Sequence, residues 1–130
     1  MSMLKTDLTG LRVLITAGAG GIGRVTAETF IANGAKVHLC DVDRAALAEV
    51  GKALPEAGLS ETDVSDPGQV DALFEAAAAR LGGLDVLVNN AGIAGPTLPV
   101  ERIPDEDWQR TLDINLNGQF FCIRRAVPLL

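Results

Sequence analysis

The sequence predicts an α/β fold: a doubly wound parallel sheet, three layers deep, with helices covering both faces. Two observations carry this. Short apolar, β-rich runs alternate with segments of helical periodicity in the order β-α-β-α-β-α-β-α. The connections are short, which calls for right-handed crossovers and parallel strands. No internal repeat, low-complexity tract or linker interrupts the pattern, so residues 1–130 read as one domain or part of one.

Each element has its own signal. Val13-Leu14-Ile15-Thr16 is a continuous apolar run suited to a buried parallel strand, and it stops at Ala17-Gly18-Ala19-Gly20-Gly21. Ile22, Val25, Ala27, Phe30 and Ile31 then recur at helical spacing until Asn33-Gly34 closes the helix. Residues 36–40 form a second strand ended by Asp41, and residues 45–54 a helix stopped by Pro55. Residues 59–62 are a weaker third strand, ending at Asp63. Asp66 is a natural N-cap with Pro67 at the first helical position. Val70, Leu73, Phe74, Ala77, Ala78 and Leu81 make one apolar stripe, and Gly82-Gly83 ends that helix. Residues 84–88 are the fourth strand, followed at once by Asn89-Asn90-Ala91-Gly92. A loop rich in Gly and Pro runs to Ile103. One long final helix begins near Pro104-Asp105, with Trp108, Leu112, Leu116, Phe120 and Ile123 on one side.

Composition narrows the function. Apolar residues make up 48% and charged residues 22%, as in ordinary globular proteins. A net charge of -6 repels phosphate backbones and anionic lipid, which argues against nucleic acid and membrane partners. No apolar stretch approaches the ~18 residues of a membrane span, and the first seven residues have no signal-peptide pattern. Cys40 and Cys122 stand far apart, outside any metal-ligand spacing, and read as reduced thiols of a cytoplasmic protein with no metal. There is no Tyr and a single His, so chemistry that needs a phenol acid is not in this chain. The apolar close, Ala126-Val127-Pro128-Leu129-Leu130, reads as a truncated chain.

A strand, a glycine-rich turn and a helix in succession make a phosphate site. Glycines let the backbone approach a pyrophosphate, and the helix start offers free N–H groups and a favourable dipole. Gly18 and Gly20 leave room on the approach, and Gly21 and Gly23 flank Ile22. Asp41 ends the second strand 20 residues beyond Gly21, where a carboxylate can accept both ribose hydroxyls of adenosine and repel a 2′-phosphate. Val42 follows it, and no Arg is expected at this strand end. NAD is therefore favoured over NADP, on a Rossmann-type sheet. The plainer reading, a tight turn with no ligand, leaves the placement of Asp41 without a purpose.

The combination Thr16-Ala17-Gly18-Ala19-Gly20-Gly21-Ile22-Gly23, Asp63-Val64 and Asn89-Asn90-Ala91-Gly92 resembles the short-chain dehydrogenase/reductase family, from about Leu8 to Leu130. The resemblance implies an NAD-dependent oxidoreductase passing hydride between an alcohol or ketone and nicotinamide, with this chain as its cofactor half. It implies that Gly21, Ile22 and Gly23 contact the pyrophosphate and that Asp41 holds the adenosine ribose. Asp63 and Val64 would line the adenine pocket, and Asn90, Ala91 and Gly92 would pass beneath the nicotinamide ribose. Asn89 would brace the central strands. Asn115 matches a helix asparagine whose carbonyl holds a water of a proton relay; its plainer reading is a polar residue at a helix bend. Two departures stand out. Ala17 replaces the family's first turn glycine, which is tolerable only at negative φ. The family's catalytic Ser and Tyr-x-x-x-Lys do not occur, so the chain alone is expected to be inactive. A catalytically dead nucleotide-binding module is the alternative.

Other residues invite plainer readings. His38 alternates with Val37 and Leu39 as packing, and Trp108 reads as core or interface. Asp85 opens the fourth strand away from the ligand. Phe120, Phe121, Ile123, Val127, Leu129 and Leu130 need a cover, which in the family is a second copy packed on this helix.

Overall fold

A computed structural model of the chain describes residues 6–130. Most of the leader reading falls on residues 1–5, outside the described residues. Four strands, β1 (Arg12–Thr16), β2 (Lys36–Asp41), β3 (Gly58–Glu61) and β4 (Val86–Val88), pair in parallel in the order β3-β2-β1-β4. Between them run α1 (Gly21–Ala32), α2 (Arg44–Ala53) and α3 (Pro67–Leu81), and α4 (Asp105–Leu112) and α5 (Gly118–Ala126) follow β4. The sheet is the Rossmann-type parallel sheet that the alternation predicts.

The pleat divides the core in two. Val13, Ile15, Val37 and Leu39 face one side with Ala27, Leu47 and Val50 of α1 and α2. Leu14 and Cys40 face the other with Val70, Leu73, Phe74, Ala77, Cys122 and Ala126 of α3 and α5. Asp66 caps α3 by accepting from the N–H groups of Gly68 and Gln69, and Gly82 ends it at φ 78°.

Four expectations change. The fourth strand is only Val86–Val88, although Asp85 just before it still donates its backbone N–H to the Arg12 carbonyl at 2.9 Å. Its carboxylate takes both the backbone N–H and the guanidinium of Arg12. The final helix is not one regular helix: a π turn, Asp113–Asn117, separates α4 from α5, with the Gly118 N–H bonded to the Asp113 carbonyl. The wide turn tucks Gly118 against Val64, where a Cβ would lie 2.8 Å from Val64 Cγ2. Gly118, Cys122 and Ala126 then form the inner face of α5. Trp108, Leu116, Phe120 and Ile123 face outward, and Trp108 at 57% exposure is not core. Phe121, expected to need a cover, packs on the core instead.

Candidate functional site

The site is built where β1 and β4 end. Thr16, buried at the last position of β1, accepts at Oγ1 from the N–H groups of Asn90 (3.0 Å) and Ala91 (2.9 Å). The Asn90 amide donates to the carbonyls of Thr16 and Ala17, both at 3.2 Å. The brace expected of Asn89 thus belongs to Asn90. The chain turns straight after β4, with the Asn90 N–H returning to the Val88 carbonyl at 3.0 Å, and this aims the second asparagine at β1. Asn89 reaches only the Gln119 carbonyl, at 3.4 Å.

The glycine turn follows. Ala17 has φ 51°, not the negative value expected of an alanine, at a cost of about 1 kcal/mol. The Asn90 amide holds its carbonyl, and Gly23 leaves room for it, since a Cβ there would lie 2.1 Å from that oxygen. Gly18 is a packing glycine, since a Cβ there would lie 2.7 Å from Leu39 Cβ. Gly21 has φ 53° and faces open space. No side chain caps the start of α1, so the N–H groups of its first turn at Gly21, Ile22 and Gly23 are left for another acceptor.

Asp41, half-buried at the end of β2, swings over this turn. Its carboxylate accepts from the Ala19 N–H at 3.2 Å and the Asp43 N–H at 3.1 Å. Contrary to expectation, an arginine stands close by. Arg44, at the start of α2, is gripped by both carboxylate oxygens of Glu61, at 2.9 and 3.3 Å. Glu61 lies in register with Asp41, so the rim carries more carboxylates than cations. Asp63 accepts at one oxygen from the N–H and hydroxyl of Ser65, at 2.9 and 2.6 Å.

A cleft of about 380 Å³ joins Ala17, Asp41, Asp63, Val64, Ala91 and Gly92, with Ile93, Arg110 and Ile114 completing its wall. A larger groove of about 830 Å³ runs along the outer face of α1, past Leu8, Gly21, Ile22, Val25 and Phe30. It carries no titratable side chain, whereas the smaller cleft is lined by Asp41 and Asp63.

Asn115 lies in the π turn, a kind of bulge frequent at functional positions. Its side chain closes a ring on one residue, accepting from the Ile93 N–H at 2.8 Å and donating to the Ile93 carbonyl at 2.7 Å. It thereby positions the loop after β4. Thr16 was missed by sequence reasoning, although a hydroxyl directly before the turn was the available signal.

Elsewhere, His38 is buried with Nε2 2.8 Å from Ser60 Oγ and Nδ1 unpartnered. Burial, then the nearby Arg80 charge, pulls its pKa down to about 4. Burial pushes the Cys40 thiol up to about 12 and the Cys122 thiol up to about 11, so both stay protonated. Among the described residues no cluster of three or more His, Cys, Asp or Glu could hold a metal, and no helix is long and apolar enough to cross a membrane.

Comparison with known proteins meets this geometry. The family described as short chain dehydrogenase matches residues 12–130. The 2-dehydro-3-deoxy-L-rhamnonate dehydrogenase (NAD(+)) of Sphingomonas sp. (strain SKA58) is 39% identical over 130 residues, which is 100% of this chain and 52% of that one. The galactitol 2-dehydrogenase of Agrobacterium fabrum is 41% identical over 85% of this chain and 43% of its own length. A short-chain dehydrogenase/reductase from Brucella melitensis superposes with a TM-score of 0.92 at 35% identity, over 98% of this chain and 55% of that one. A 3-ketoacyl-(acyl-carrier-protein) reductase from Brucella melitensis, solved with NADH, superposes with a TM-score of 0.90 at 35% identity, over 94% and 51%. The chain spans about half the length of these relatives. With this sheet order, this turn and this match, the chain belongs to the short-chain dehydrogenase/reductase family of oxidoreductases.

Proposed function

We propose that this chain supplies the NAD-binding part of an oxidoreductase acting on a small alcohol or ketone. The observation that carries the reading is the Asp41 carboxylate, held 3.2 Å from the Ala19 N–H beside the uncapped start of α1. Those two features fit the two halves of a dinucleotide, an anionic diphosphate and a sugar with free hydroxyls. When bound, the nicotinamide ring donates or accepts hydride at its C4.

The chain's own residues bind and orient. Backbone amides at Gly21, Ile22 and Gly23 would neutralise the diphosphate, with Gly18 keeping the turn close to β2. Asp41 would accept from the ribose hydroxyls, Asp63 and Val64 would border the adenine, and Asn90, Ala91 and Gly92 would form the floor. Asn115 would act on this floor through Ile93. NAD is favoured over NADP because Asp41 and Asp43 repel a second phosphate while Glu61 occupies Arg44. A relative whose name specifies NAD(+) and a neighbour solved with NADH support the choice.

The 130 residues contain no Tyr, so they hold no phenol to move the substrate proton. Half-exposed Phe120, Ile123 and Val127, with Leu116, offer a face for a second copy of the chain, and two protonated thiols fit a cytoplasmic setting.

Calorimetric titration with NAD and NADP tests the proposal, with the same samples assayed on a panel of alcohols. The expected result is NAD-preferring binding and no NADH formation. Equal affinity for both nucleotides would refute the role of Asp41, and NADH formation would refute the account of the missing phenol.

A further inference from the structure

Among the described residues Ala17 is the only non-glycine with a positive φ, 51°. Two hydrogen bonds hold that conformation, from the Asn90 amide to the Ala17 carbonyl at 3.2 Å and from the Gly18 N–H to the Cys40 carbonyl at 2.9 Å. Gly23 makes room for it, since a Cβ there would lie 2.1 Å from the Ala17 carbonyl oxygen. A glycine would satisfy both hydrogen bonds without strain. The backbone therefore accounts for the positive φ but not for the methyl group.

Ala17 also borders the cleft, together with Asp41, Asp63, Ala91 and Gly92. Asp41 is fixed from the same turn, through the Ala19 N–H two residues on. Strain retained against an available relief is a mark of functional positions.

We infer that Ala17 is a specificity-determining residue, its methyl filling the cleft floor beside Asp41. The ribose is thereby seated with its hydroxyls on the carboxylate, and the space that a 2′-phosphate and its hydration shell require is reduced. This rests on the NAD reading above. Glycine at position 17 removes both the strain and the floor, so stability and recognition move in opposite directions.

Ala17→Gly tests this, with thermal unfolding and titration by NAD and NADP on one preparation. The melting temperature rises by a few degrees. NAD affinity falls roughly threefold to tenfold, the scale of one buried methyl group and the contacts it organises. NADP affinity does not fall, so the preference for NAD narrows by the same factor. A parent chain that prefers NAD, with a variant of unchanged preference, overturns this inference alone. A parent that binds neither nucleotide overturns the cofactor reading and this inference with it.

Discussion

The two ends of one four-stranded sheet differ in how their charges are held, the Arg44–Glu61 pair at the carboxyl end apart. At the amino end two arginines are closed on partners. Arg12 meets both oxygens of Asp85 at 2.9 Å and the Gly82 carbonyl at 3.0 Å, and Arg80 meets the Glu56 carbonyl at 2.7 Å. Gly83 is tied to this closure, since a Cβ there would lie 2.3 Å from the Arg12 guanidinium. At the carboxyl end, Asp41 is held only by backbone amides, Asp63 by a serine, and α1 begins without a cap. Closed charges tie strand ends together, whereas open ones leave acceptors and donors available to a ligand.

Substitutions should separate the two ends. The largest effect is expected at Gly23→Ala. The new Cβ would meet the Ala17 carbonyl oxygen at 2.1 Å and the Asn90 amide at 2.7 Å, both already fixed. Stability should fall by about 3 kcal/mol in denaturant unfolding, and nucleotide binding should disappear. Asp41→Ala comes next. NAD affinity should fall about 30-fold, the scale of hydrogen bonds to a charged group, and the preference over NADP should vanish with little change in unfolding.

His38, toward the other end, should affect stability alone. Its folded pKa of about 4 lies below the ordinary 6.5, so between those values the unfolded chain binds more protons. Stability should therefore drop by about 2 kcal/mol from pH 7 to pH 5, and His38→Gln should flatten that slope in melting curves. The smallest effect is expected at Asp85→Asn. Arg12 holds the Asp85 carboxyl down at about 2, so its contribution is complete above the ordinary 3.8 and is lost as pH falls through about 2. The variant should melt slightly lower at neutral pH and bind NAD unchanged. A change in NAD affinity there would blur the division between the ends.

Much of this was legible in the sequence because its signals are local. The run Val13–Thr16 into glycines, the Asp66-Pro67 cap and the Gly82 stop each depend on neighbours within a few residues. The position of Asp41 followed from a strand length and a crossover length. What was hidden depends on partners distant in sequence. The break in the last helix goes with a clamp between Asn115 and Ile93, 22 positions apart. Arg44 is occupied by Glu61, 17 positions away. Residue preference alone gives Ala17 a negative φ, and the distant Asn90 amide overrides it. Spacing alone puts Trp108 and Leu116 on one apolar side, whereas the π turn puts Gly118, Cys122 and Ala126 inward.

Backbone amide resonances followed during titration with NAD would locate the ligand on the molecule directly. Ala19, Gly21, Ile22, Gly23, Asp41 and Asp63 should shift together, while Arg12, Gly83 and Asp85 stay still. Shifts confined to the outer face of α1 at Val25, Thr29 and Asn33, or to the Arg12–Asp85 edge, with the glycine turn silent, would contradict the assignment of the carboxyl end as the binding site.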